Sequence, residues 1–240
     1  MRTIGLIGGL SWVSAEHYHH LINDAVQSKL GANHCARLVL WSEDFEVVAA
    51  MQREGRWHDS GEVLARGARA LVAAGAEVVA IGANTMHLVA EQVAAAAAPV
   101  PLLHIVDVVR DAALVAGARR VGLLGTAYTM ESATLYPPTL AAAGIEVLVP
   151  DEARRSDIQR ITYDGLTRNV VSEHARATFR SAAADLVGRG ADAIVLACTE
   201  HGLVLRDGDL PVPVLDSTIL HAAALVRFAL DDQLPCTRPS

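Results

Sequence analysis

Val78-Val79-Ala80-Ile81-Gly82-Ala83-Asn84-Thr85-Met86-His87 and, 115 residues later (75 to 190 for the glycines that precede them), Ala193-Ile194-Val195-Leu196-Ala197-Cys198-Thr199-Glu200-His201 read as two copies of one unit. Each follows a Gly-Ala-acid step, Gly75-Ala76-Glu77 or Gly190-Ala191-Asp192. Each then runs through an apolar segment short enough to be a buried strand and breaks into small polar residues that open a helix. The offset sets Ala83 against Cys198, so the second copy has a thiol where the first has a methyl group.

Working outward, the repeat continues. Gly5-Leu6-Ile7-Gly8-Gly9 is answered by Gly122-Leu123-Leu124-Gly125-Thr126, and Val100-Pro101-Leu102-Leu103-His104 by Val212-Pro213-Val214-Leu215-Asp216. The strand Ala36–Trp41 is answered by Glu146–Val149. The spacing predicts a tandem duplication. Alternating strands and helices, with strands that are apolar on both faces, predict an α/β fold of two pseudo-symmetric domains, each a mostly parallel sheet flanked by helices. The first half takes residues 1–107, joined by a C-terminal helix at 217–240, and the second takes 108–216. Ligands of such folds sit outside the carboxyl ends of the strands. The loops Gly9–Trp12, Ala83–His87, Thr126–Met130 and Cys198–His201 are therefore expected to line one inter-domain cleft.

Composition excludes several classes. A 240-residue chain with 52% hydrophobic and 20% charged residues has enough apolar material for a core, and Ala94–Ala98 reads as helix surface. A net charge of −7 with scattered Lys and Arg offers no basic stripe for nucleic acid. No apolar run has the length of a membrane span, and Met1-Arg2-Thr3-Ile4-Gly5 enters a strand directly, so no membrane partner and a cytoplasmic location are expected. Cys35, Cys198 and Cys236 lack metal-ligand spacing, and Cys35 and Cys236 read as incidental thiols. No metal is expected.

Further along the chain, Gly8-Gly9-Leu10-Ser11-Trp12 is expected to turn from strand to helix, its glycines letting the backbone approach a ligand. It lacks the third glycine and the ribose-binding acid of a dinucleotide fingerprint, so no NAD site follows. The next helix, to Leu30, puts Tyr18, Leu21, Ile22 and Ala25 on one stripe. His17, His19 and His20 do not share a helix face and read as exposed imidazoles. Gln52–Trp57 reads as a polar loop before a helix Asp59–Ala74 that starts on an Asp59/Glu62 capping box and stops at Gly75. Arg53 and Arg56 are either solvated partners of Glu54 or contacts for a substrate carboxylate. A further helix is expected from Met86 to Ala97.

Cys198, between a buried strand and a helix start, is expected to feel the positive end of the helix dipole and to have its pKa drawn from about 8.5 toward neutrality, making it a proton donor or acceptor. Glu200 and His201 are close enough in sequence to tune it. The alternative is a small buried hydrophobe at a strand end. Asn84, Thr85, Thr126, Tyr128, Thr129 and Thr199 supply uncharged donors suited to a carboxylate and to the negative charge that spreads onto it when the adjacent carbon becomes anionic. For each hydroxyl alone, a turn or cap role competes with a ligand contact.

Gly8-Gly9-Leu10-Ser11-Trp12, Asn84-Thr85-Met86-His87, Gly125-Thr126-Ala127-Tyr128-Thr129-Met130 and Cys198-Thr199-Glu200 together resemble the aspartate/glutamate racemase family over nearly the whole chain. The resemblance implies Rossmann-like halves, no cofactor, two cysteines as paired acid and base, a small amino-acid or dicarboxylate substrate, and a homodimer. It implies that Cys198 is the second-half catalytic thiol and that Asn84, Thr85 and Thr199 bind substrate carboxylate. Ser11, Gln52, Thr126, Tyr128 and Thr129 complete the pocket, with Glu200 and His201 in support. Ala83 departs from the pattern, standing where the first cysteine is expected. Three accounts follow: an engineered knockout of a racemase of small acidic amino acids; a natural variant in which water or His87 serves one face; or a one-thiol decarboxylase or isomerase, as in the similar arylmalonate decarboxylases. A catalytically silent binder of acidic amino acids is the reading from outside enzymology.

Overall fold

A computed structural model describes residues 1–230; Cys236 and the 231–240 part of the expected terminal helix lie outside the described residues. The chain divides into two compact units, Met1–His104 with the described residues from His221 onward, and Ile105–Leu220.

The first unit contains β1 (Ile4–Gly8), α1 (Trp12–Leu30), β2 (Leu38–Ser42), α2 (Phe45–Arg53), α3 (Trp57–Ala73), β3 (Val78–Ile81), a 3₁₀ turn (Thr85–Val89), α4 (Ala90–Ala97) and β4 (Leu102–Leu103). Its sheet has the order β2-β1-β3-β4, all parallel. The second unit contains α5 (Ile105–Val115), β5 (Arg120–Gly125), α6 (Ala127–Met130), α7 (Tyr136–Ala142), β6 (Glu146–Leu148), α8 (Glu152–Asp164), α9 (Glu173–Gly188), β7 (Ala193–Ala197), a 3₁₀ turn (His201–Leu203) and β8 (Val214–Asp216). Its order is β6-β5-β7-β8, again parallel. The helix α10 (Ser217–Leu230) follows. The two units have one topology, and the predicted fold class holds.

Alternation along the central strands explains why they carry no polar face. Ile4 and Leu6 of β1 and Val78 and Ala80 of β3 pack with Tyr18, Ile22 and Val26 of α1 and with Leu225 and Val226 of α10. Ile7, Val79 and Ile81 point the other way, onto Leu64, Ala68 and Leu71 of α3 and Val93 and Ala97 of α4. Successive side chains leave a strand on opposite faces, so a strand covered on both sides must be apolar throughout. Each such residue fully buried stabilises the fold by about 1.5–3 kcal/mol.

The Gly-Ala-acid step has a physical reason. Gly75 and Gly190 take φ of 90° and 93° and end α3 and α9. The following amides, of Ala76 and Ala191, return to the Leu71 and Leu186 carbonyls at 3.0 Å in both units, a left-handed helix stop that glycine allows. The acid then ties down the first strand: Glu77 accepts from the Thr3 N–H at 2.7 Å, and Asp192 from the Arg119 N–H at 2.9 Å.

Several local expectations are corrected. Gln52 and Arg53 belong to the end of α2, whose Asp44 cap accepts from the Glu46 N–H at 3.1 Å. α3 begins at Trp57 with no side-chain cap, so Asp59 and Glu62 form no capping box there. The stretch after β3 is a 3₁₀ turn before it becomes α4 at Ala90. Ala97 is buried while Ala95 and Ala98 are exposed, so the alanine run is only partly surface, and His17 is half-buried beside exposed His19 and His20.

Candidate active site

The second unit places its chemistry at the carboxyl end of β7. Ala193–Ala197 is wholly buried, and the chain leaves it directly into Cys198, Thr199 and Glu200, each less than a tenth exposed. The Cys198 Sγ–H donates to Glu200 Oε2 at 3.1 Å, and the Thr199 hydroxyl donates to the same oxygen at 2.9 Å. One carboxylate oxygen thus accepts both neighbours. The thiol's surroundings run opposite to expectation. Burial pushes its pKa well above the ordinary value, and the Glu200 charge pushes it further. The helix dipole that was to lower it is missing, because the chain forms only the 3₁₀ turn His201–Leu203, too short to align peptide dipoles.

His201 also departs from its expected role. Its Nε2 lies within hydrogen-bond reach of Thr162 Oγ1 at 3.0 Å, and that hydroxyl donates to the Ile158 carbonyl at 2.7 Å. The ring stands edge-on to Phe179 with centroids 4.5 Å apart. Burial lowers its pKa to about 3, so it is neutral and engaged in the core.

Thr126 and Thr129 flank the short α6. Thr129 Oγ1 donates to the Thr126 carbonyl at 2.9 Å and lies 3.4 Å from Thr126 Oγ1. Both are buried, while Tyr128 between them is half-buried. Gln159 accepts from the Ala127 N–H at 2.8 Å and fixes the start of the turn.

Sequence reasoning missed several groups coupled electrostatically to the thiol. Asp216, at the end of β8, is buried and accepts from the Thr218 and Ile219 amides at 2.8 and 3.3 Å, capping α10. Its charge also raises the Cys198 pKa. Burial raises Tyr136 and Tyr163, and Cys198 raises each further, which puts both phenols in its electrostatic neighbourhood. The sequence signal was Asp216-Ser217-Thr218, a helix-start pattern after the last strand. Nothing in the spacing singles out the tyrosines.

In the first unit the corresponding strand β3 ends at Ile81, two residues before Ala83, which is buried in an apolar cluster with Leu10 and Met86. Asn84 and Thr85 follow, both buried. Ser14 of α1 donates to the Gly82 carbonyl at 2.7 Å, and Ser11 accepts from the Ser14 N–H at 3.2 Å as the cap of α1. Gln52, buried on α2, donates to Met86 Sδ at 3.0 Å. The structure therefore brings Ser11, Gln52, Ala83, Asn84 and Thr85 to the carboxyl side of one sheet. Behind them stand imidazoles. His87 Nδ1–H donates to the Ala83 carbonyl at 2.9 Å, the His87 and His104 rings meet edge-on at 4.6 Å, and Tyr18 donates to His221 Nδ1 at 2.8 Å. Burial holds His87 well below its usual pKa and His221 at about 4.

The glycines of the first turn serve the protein's own packing. Gly9 has φ 69°, and a Cβ there would overlap the Glu43 backbone; one at Gly8 would meet Leu40 at 2.7 Å. Close approach by the β2–α2 loop and by β2 gives both glycines a packing role of their own. Arg53 pairs with Glu46, and Arg56 with Glu54 and Asp59, all on the surface. Among the described residues no group of three His, Cys, Asp or Glu is arranged to hold a metal ion, and no helix is long and apolar enough to cross a membrane.

Residues 7–225 match the model of the Asp/Glu/Hydantoin racemase family. A Yersinia pestis crystal structure assigned to the Asp/Glu racemases is 39% identical, with a TM-score of 0.87 over 96% of this chain and 100% of that one. An aspartate racemase homologue from Pyrococcus horikoshii OT3 is 32% identical, with a TM-score of 0.81 over 95% and 99%. The broad specificity amino-acid racemase RacX of Bacillus subtilis (strain 168) is 28% identical over 165 residues, 68% of this chain and 70% of that protein.

Proposed function

We infer that this chain, which belongs to the Asp/Glu/Hydantoin racemase family, moves a proton at the α-carbon of a small amino acid, with Cys198 as the acid/base group. The observation that carries the reading is the Cys198 sulfur at the end of a buried parallel strand, its proton directed at a carboxylate. A sulfur in that place is where α/β folds present ligands, and a positioned proton carrier is what α-carbon chemistry needs. Ala83, at the same place in the other unit, has nothing to titrate. The chain then has one sulfur arm where its family chemistry uses two, and its racemisation is slow or served from the other side by water or His87.

Aspartate and glutamate are the first substrates to test. The family name points to them, while the broad specificity of the Bacillus relative extends the panel to neutral and basic amino acids. Asn84, Thr85, Gln52, Thr126 and Tyr128 are assigned to the substrate as neutral donors, as the family resemblance implies. Deuterium entry at the α-carbon in D₂O, followed by NMR for each enantiomer, is the test. Exchange with loss of optical purity is expected. The reading fails if no enantiomer of any amino acid exchanges, or if Ala83→Cys binds the amino acid and still does not racemise it.

A second reading has one observation of its own. The resting sulfur carries its proton, and a group that holds a proton is set to give one. A one-thiol decarboxylase or isomerase needs only that: the carbanion arises by loss of CO₂ or by a shift of a double bond, and Cys198 protonates it. Release of CO₂ from a substituted malonate, with a single product enantiomer and no α-exchange of amino acids, selects this reading over the first.

A further inference from the structure

Glu200 Oε2 accepts both the Cys198 thiol and the Thr199 hydroxyl. Thr199 has one proton to give and gives it to Glu200, so its hydroxyl has none left for a substrate carboxylate. The resemblance assigns Thr199 to that carboxylate; the geometry points elsewhere. Resting on the proton-transfer reading above, we propose that Glu200 is the base that receives the Cys198 proton, and that Thr199 is a positioning residue that holds the accepting oxygen and tempers its pull.

The step balances without any further reagent. The S–H bond breaks and an O–H bond forms on Glu200, leaving a thiolate. The thiolate takes the substrate Cα proton, so the sulfur is again S–H, the substrate is a carbanion and Glu200 holds the first proton. The S–H proton then returns to the substrate carbon and the Glu200 proton returns to the vacated sulfur, which closes the cycle. Cys198 and Glu200 share this proton as neighbours in direct hydrogen-bond contact. Asp216 from β8 also acts on the thiol, the thiol in turn acts on Tyr136 from α7 and Tyr163 from α8, and all of these stay in place in the variants below. A hydroxyl bonded to a carboxylate stabilises its charged form, which is how Thr199 keeps the proton on sulfur until substrate is present.

Two readouts test the proposal, one of them independent of any substrate. The rate of Cys198 alkylation by iodoacetamide, measured against pH in a Cys35→Ser, Cys236→Ser background, reports the thiolate. Glu200→Gln removes the neighbouring charge, so its alkylation midpoint falls by about one to three pH units, while α-proton exchange falls by roughly 10²–10⁴-fold. A more reactive thiol in a slower enzyme is the expected pairing. Thr199→Val shifts the pH profile of kcat and leaves KM in place, and Thr199→Ser restores the parent profile. An alkylation midpoint unmoved by Glu200→Gln overturns the proposal, as does exchange that keeps its rate or gains. A Thr199→Val variant with raised KM and an unmoved pH profile returns Thr199 to the substrate. If the parent exchanges no amino acid at all, the functional reading fails, and the alkylation arm still decides the Cys198–Glu200 pair.

Discussion

The two units hang different chemistry on one backbone plan. In the first, β3 delivers Ala83, Asn84 and Thr85 in front of His87, His104 and His221; in the second, β7 delivers Cys198, Thr199 and Glu200 in front of Asp216, Tyr136 and Tyr163. The last strand is followed by His104 in one unit and ends on Asp216 in the other. A duplicated strand order fixes where a side chain emerges and leaves its charge open. One copy has a cluster of imidazoles behind a methyl group, the other an acidic setting around a thiol. The sharpest way to break this comparison is Cys198→Ser. A serine hydroxyl releases its proton far less readily than a thiol, so α-proton exchange is expected to fall by roughly 10²–10⁴-fold. Exchange at the parent rate would leave the thiol without a role and make the two units chemically alike.

Each unit also buries a neutral imidazole, His201 in the second with its pKa lowered to about 3 and His221 in the first lowered to about 4, both by burial. The unfolded chain protonates these rings near pH 6.5, while the folded chain does not until pH falls to those values. Below pH 6.5 the unfolded state therefore binds more protons, and stability is lost as pH falls through the window from about 6.5 to about 4 for His221 and to about 3 for His201. At about 1.4 kcal/mol per unit this is on the order of 3 kcal/mol for His221 and somewhat more for His201. Urea unfolding at pH 7.5, 5.5 and 4.5 measures it. His221→Gln is expected to be less stable at pH 7.5 and to lose less on acidification; equal slopes in parent and variant contradict the assignment.

The turns after the first strands separate the units next. Gly9 sits at φ 69° with the Glu43 backbone against the space a Cβ would need, whereas its counterpart Thr126 sits at φ −72° and already has a side chain. Gly9→Ala is expected to cost about 2–4 kcal/mol, since a left-handed alanine alone costs about 1–2. Thr126→Ala removes one hydroxyl and is expected to cost about 1 kcal/mol. Thermal unfolding of the two variants compares them directly; equal losses would mean that the Gly9 turn relaxes.

The fold was legible because its signals are local. An apolar run between Gly-Ala-acid and small polar residues is a buried strand wherever it occurs, and two such runs at one offset declare a duplication before any contact is known. α2 was not legible in the same way. Its last turn, Gln52-Arg53, looks like the loop that follows, Glu54-Gly55-Arg56, and its one firm signal is the Asp44 cap ahead of Val48 and Ala49. The thiol was legible as an outlier between copies, but not its environment. Glu200 meets the sulfur just ahead of a 3₁₀ turn that replaces the expected helix, and Tyr136, Tyr163 and Asp216 come from three other segments. Periodicity gives no sign of convergence between segments that far apart.

The smallest effect concerns the arginines that sequence offered as carboxylate contacts. Arg53 donates to Glu46 at 2.6 Å with the two side chains 53% and 76% exposed. Arg56 donates to Asp59 at 2.7 Å and to Glu54 at 3.1 Å, and those acids raise its pKa further. Both guanidinium groups thus have internal partners on the surface of the first unit, and the second unit has no matching pair in its sequence. An exposed pair of this kind contributes about 0.2–1 kcal/mol, so Arg53→Ala is expected to change the unfolding midpoint by that little and to leave KM for aspartate and glutamate unchanged. Salt separates the two roles: a surface pair weakens as the ionic strength rises, with no change in substrate affinity specific to acidic amino acids. A KM that rises for aspartate and glutamate in Arg53→Ala, and not for neutral amino acids, would draw Arg53 off Glu46 and onto the substrate, and would give the first unit the charged contact that Ala83 and its imidazoles do not provide.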